Sequence, residues 1–131
     1  MKTSVFIKDT NQAGIIQYQD IYVFNTDTLT TRELIVDRVC QEIEVYNQLK
    51  SGYLKGLVQI YVPKKNQKSI KLPKRLDYEQ FYSVALEAFQ NHDLSILVND
   101  YPIVGLTTPI SLVEATEIAF LKYIPLMVGT R

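Results

Sequence analysis

Few side chains in this sequence are of a type and spacing that carry chemistry. The chain has one cysteine, Cys40, and one histidine, His92, far apart from each other. Thiolate chemistry wants a base or a cation beside the sulfur, and a metal site wants further ligands at short spacing; neither residue has such company. Cys40 therefore reads as a core thiol or, less simply, a reactive one. His92 reads as a ring set against a helix C-terminus or, less simply, as a catalytic or metal-binding group. Glu42 and Glu44, two apart on a helix, point in different directions, and Asp93 and Asp100 flank a hairpin whose turn accounts for both. There is no glycine-rich phosphate loop, serine elbow or metal cluster. The reading is of a chain that is not an enzyme and needs no metal or cofactor of its own.

Two other features invite a function. Lys64, Lys65, Lys68, Lys71, Lys74 and Arg75 occur with no acidic residue among them. They form either a patch for an anionic partner or a solvated, lysine-rich loop, and the lack of interleaved aromatics argues against a nucleic-acid platform. The second feature is the run EIAFLKYIPLMVG at 117–129, followed by Thr130 and Arg131. A terminus made of Tyr123, Ile124, Leu126, Met127 and Val128 is either a buried strand or a ligand for another surface.

The elements that must position these residues follow from pattern and composition. With 131 residues, 47% hydrophobic, the chain is long enough for one domain with a real core. Lys+Arg 14 balances Asp+Glu 14, so no global field draws it to nucleic acid or an anionic membrane. A single cysteine forms no internal disulfide, and no signal peptide or membrane span is visible, so a cytoplasmic setting is expected. Residues 5–7 and 15–24 read as a hairpin around a turn at 9–14. Ile16, Tyr18, Ile21 and Val23 are its apolar positions, and a bulge is expected at 19–20. Thr30 and Glu33 form a capping box for a helix over 31–48, whose apolar face carries Ile35, Val39, Ile43 and Tyr46. Arg32, Asp37, Glu42 and Glu44 are assigned to its other faces. A short strand at 57–62 precedes the lysines. Asp77 is placed as the cap of a second helix, 78–91, with Phe81, Val84, Ala85, Ala88 and Phe89 as its stripe. A second hairpin turns at Asn99 and Asp100. Ser111 and Glu114 suggest one capped turn before the last strand.

At three places the chain resembles the ubiquitin-like β-grasp family, including the small sulfur carriers of cofactor synthesis: TLTTRELI at 28–35, ILVNDYPIV at 96–104, and the terminal run to Gly129. The resemblance covers 1–48 and 93–129. It implies an α+β domain spanning 1–131, with a mixed sheet wrapped around one main helix, the last strand parallel beside the first, an insertion at about 50–92 with a second helix, and a tail at about 123–131. It also implies a protein modifier. A separate ATP-using enzyme would activate the Gly129 carboxylate once a peptidase had removed Thr130 and Arg131, and conjugating enzymes would pass it to protein targets. Bacterial antiphage systems are one setting for such proteins. The alternatives are a noncovalent or self-associating β-grasp module and, further off, a sulfur carrier. Val128 stands where the family has a second glycine, and its β-branch stiffens the tail.

Overall fold

The computed structural model describes residues 2–49, 56–61, 75–113 and 117–129. Lys64, Lys65, Lys68, Lys71, Lys74, Glu114, Thr130 and Arg131 lie outside them. The described residues form an α+β arrangement with a mixed sheet and two helices.

Strands β1 (Thr3–Thr10) and β2 (Ile16–Phe24) form the first hairpin, and the Asn11 side chain accepts from the Ala13 and Ile15 amides to shape its turn. β3 (Thr28–Thr30) leads into α1 (Thr31–Leu49). The capping box is present: the Glu33 amide donates to Thr30 Oγ1 at 3.2 Å, and the Thr30 amide donates to Glu33 Oε1 at 2.8 Å. β4 (Gln59–Tyr61), α2 (Tyr78–Gln90), β5 (Leu94–Val98), β6 (Tyr101–Pro102), β7 (Pro109–Ser111), β8 (Glu117–Lys122) and β9 (Met127–Gly129) complete the order. Asn99 and Asp100 both have positive φ, the type I′ geometry that matches strand twist between β5 and β6.

The main sheet runs β2-β1-β8-β5-β6. β1 and β8 are parallel, with Ile7 opposite Ile118, and the other pairings are antiparallel. Parallel neighbours need a crossover, and here it comprises everything between the two strands, including both helices. Val5, Ile7, Ile96, Ile118 and Phe120 alternate onto one face and meet Leu34, Ile35, Val39 and Ile43 of α1 in a single buried cluster.

Several expectations change. In β2 it is Tyr22 and Phe24 that are buried, while Ile16, Ile21 and Val23 are exposed. Both sets are apolar, so the pattern alone did not fix the face; pairing Tyr22 with Val5 does. The register irregularity falls at Asp9 and Thr10, not at 19–20. Asp77 stands at the N-cap of α2 with extended backbone, but its carboxylate makes no capping bond. Past the Asn91 cap of α2, His92 takes the left-handed conformation: its amide donates to Phe89 O and that of Asp93 to Ala88 O, a Schellman closure. Ser111 belongs to β7, which pairs with β3, and the capped turn expected with Glu114 lies outside the described residues. The segment expected to be an insertion supplies core: Leu57, Val58, Phe81 and Phe89 are buried, and α2 packs against α1.

Candidate functional site

The terminal run is two strands, not one. β8 ends at Lys122, the chain turns through Tyr123 and Pro125, and β9 pairs in parallel with β4, placing Val128 opposite Ile60 and Gly129 opposite Tyr61. The Gln59 amide donates to Leu126 O at 2.9 Å. Leu126 and Val128 are buried, so of the five tail residues only Tyr123, Ile124 and Met127 present surface. Gly129 is exposed, with open space around it. Of the basic cluster only Arg75 is described, and it is exposed.

Beneath this ribbon lies a charged cluster that pattern reading missed. Arg38 is fully buried, and Nη1 and Nη2 donate to Asp9 Oδ1 and Oδ2 at 2.5 and 2.7 Å. Nε and Nη2 also reach Glu42 Oε2 at 3.3 and 3.2 Å. The same oxygen accepts a short bond from the Tyr22 hydroxyl, and Glu42 Oε1 accepts from the Leu57 amide at 3.1 Å. Tyr18 bonds Tyr22 at 3.0 Å, and the guanidinium lies over the Phe120 ring at 4.6 Å. Glu42, assigned from sequence to another face of α1, thus points inward. Its signal was the Leu34, Arg38, Glu42 row at i, i+4 spacing along the buried stripe. Burial pushes the Glu42 carboxyl above the usual range, against Arg38 and the hydrogen bonds from Tyr22 and Leu57. Burial acts to lower the pKa of Arg38, but Glu42 and Asp9 outweigh it, so the guanidinium stays charged.

A cleft of about 660 Å³ opens over this cluster, between the turn of the first hairpin and the link from β8 to β9. Lys122 enters it from the inner face of β8, in line with Ile118 and Phe120. The Gln12 side chain donates to Tyr123 O at 3.1 Å and ties the two walls together.

No family model matches the chain, and no curated protein matches it. Among solved structures the chain is similar to a superantigen-like protein from Staphylococcus aureus, crystallised in complex with 3-N-acetylneuraminyl-N-acetyllactosamine. The identity is 14%, the match covers 95% of this chain and 52% of that one, and the TM-score is 0.41. The chain therefore spans about half the length of the structure it matches.

The far face of the main sheet is the other candidate surface. Register places Ile21 beside Phe6, and Lys8 beside Ala119, which in turn neighbours Leu97. Ile21 and Val23 are 62% and 43% exposed, and Phe6, Leu97 and Leu121 are half-buried. One ion pair, Lys8 to Glu117 at 2.8 Å, crosses this face. The free edge of β2 is partly closed: the Gln41 amide donates to Val23 O, and Asp20 accepts from the Ile21 amide. Such caps discourage strand-to-strand pairing there.

Cys40 is half-buried, and burial together with Asp37 and Glu44 pushes its thiol pKa up, which disfavours a reactive thiolate. His92 is exposed at the α2 terminus. Among the described residues no group of His, Cys, Asp and Glu is arranged to hold a metal ion, and no helix is long and apolar enough to cross a membrane.

Proposed function

We propose that the chain is a ubiquitin-like β-grasp domain that acts without catalysis, as a noncovalent binding module presenting the outer face of its sheet to another protein. The strand order, the parallel pair of β1 and β8 and the helix α1 seated on one face support the β-grasp reading. The observation that carries the function is the exposed apolar group on the opposite face, where Ile21 and Val23 of β2 lie beside Phe6 of β1, with Leu97 and Leu121 beyond the Lys8–Glu117 ion pair. Apolar residues clustered on one face mark a contact site more often than scattered ones do. Net charge is zero, so no global field steers the chain to nucleic acid or an anionic membrane, and contact through this face is short-range and apolar, suited to a protein partner. A photoreactive residue at position 21, in the full chain made at native level, tests this reading through the partner it captures.

A second reading keeps Gly129 as a conjugation site, activated by a separate ATP-using enzyme after removal of Thr130 and Arg131. It is favoured by the exposure of Gly129 on β9. Freeing the whole ribbon would expose Leu126 and Val128, about 1.5–3 kcal/mol each. The modifier reading therefore asks the glycine alone, and not the tail, to enter an activating enzyme. Intact-mass measurement on protein from its native cells tests it.

A further inference from the structure

We propose that the cleft between the first hairpin turn and the β8 to β9 link is a binding site for a small amphipathic carboxylate, with Lys122 as its counter-ion. The Lys122 side chain is half-buried, and among the described residues its amine makes no hydrogen bond and no ion pair, with Asp9 and Glu42 acting on it only at longer range. An amine withdrawn from water without a partner is costly, and an anion in the cleft removes that cost. The neighbouring charges leave Lys122 as the available group. Arg38 is occupied by Asp9 and Glu42, and both Asp9 oxygens already accept from Arg38. Burial lowers the pKa of Lys122, against the pull of Asp9, as expected of an amine partly withdrawn from solvent.

The rest of the cleft sets the ligand's chemistry. Gln17 and Gln59, both exposed, also line it, and their side-chain amides make no hydrogen bond among the described residues, so two further donors are available to carboxylate oxygens. A single amine with two neutral donors suits one negative charge better than a phosphate's two. Ile124, Leu126, Met127 and Tyr123 supply an apolar wall for the ligand's body. The volume of about 660 Å³ lies within the range of roughly 300–1,000 Å³ usual for small-molecule sites. This site opens beside the inner face of the sheet, so it does not depend on the outer-face contact.

The test uses the full ¹⁵N-labelled chain, titrated by NMR with hexanoate and 3-phenylpropionate, and separately with their primary amides. The carboxylates are expected to shift the amides of Ala13, Tyr123 and Met127 saturably, with the matched amides binding about tenfold more weakly. Lys122→Met should weaken carboxylate binding by about tenfold, and Lys122→Arg should retain it. If Lys122→Met does not fold, the carboxylate-to-amide ratio on the unaltered chain and on Lys122→Arg decides. Equal binding of carboxylate and amide, unchanged binding by a folded Lys122→Met, or no saturable shift at the cleft with either carboxylate would overturn the proposal.

Discussion

Arg38 grips Asp9 with both terminal guanidinium nitrogens, at 2.5 and 2.7 Å, from a position with no exposed surface. The fork joins the middle of α1 to the strand that pairs in parallel with β8, so it fixes the helix along the sheet as well as against it. Arg38→Met should leave Asp9 and Glu42 buried without their cation and cost about 3–5 kcal/mol. Urea unfolding measures this, and a loss below about 1 kcal/mol, the size of a surface ion pair, would contradict the role assigned to the fork.

Gly56 lies against the same cluster. A Cβ at this position would meet the Glu42 carboxyl carbon at 2.5 Å, closer than real contacts allow. Glu42 is held by Arg38, Tyr22 and the Leu57 amide and has little freedom to yield. Gly56→Ala should therefore destabilise by about 1–3 kcal/mol, as overpacking does. Unchanged unfolding would mean that Glu42 can move without loss.

The capping box gives a pH-dependent prediction. Hydrogen bonds from the Thr30 amide and hydroxyl hold the Glu33 carboxyl below its ordinary value of 4.5. A carboxyl whose folded pKa is depressed contributes stability that is present above the unfolded pKa and lost as pH falls through the folded one. The contribution should thus be complete above about pH 4.5 and fade below it. In Thr30→Ala, NMR titration should show the Glu33 pKa moving up, with the helix weakened by about 1 kcal/mol. An unmoved Glu33 titration would contradict the box.

What was legible in the sequence was local. Thr30 with Glu33 and Asn99 with Asp100 announce a helix start and a tight turn, because the groups that interact lie three residues apart or fewer. The parallel seat of β8 beside β1 was expected from the family resemblance, not from any local pattern. What was hidden depends on partners distant in sequence. Ile21 and Tyr22 are both apolar, and only pairing with β1 decides which faces the core. Glu42 reads as a polar-face residue until Tyr22, 20 positions away, is placed beside it. The separate strand β9 could not be foreseen from the terminal run, because its partner β4 lies in a segment that the family resemblance did not cover.

Gly129→Ala separates the two functional readings. Among the described residues no atom lies within 4 Å of an added Cβ, so the fold and its unfolding midpoint should be unchanged. Under the modifier reading, adducts through Gly129 seen by intact mass in native cells should disappear in this variant. Under the binding-module reading the mass is that of an unlinked chain in both, and function persists.

The most direct test of the sheet-face account is photo-cross-linking from position 21, compared with position 45 on the exposed side of α1. The account predicts a discrete higher-mass product from position 21, little from position 45, and loss of the product when Leu97→Glu places a charge on the same face of a chain that still folds. A product at an integer multiple of the chain mass would make the partner a second copy. No discrete product from position 21, or equal yields from positions 21 and 45, would contradict the claim that this face is where the protein works.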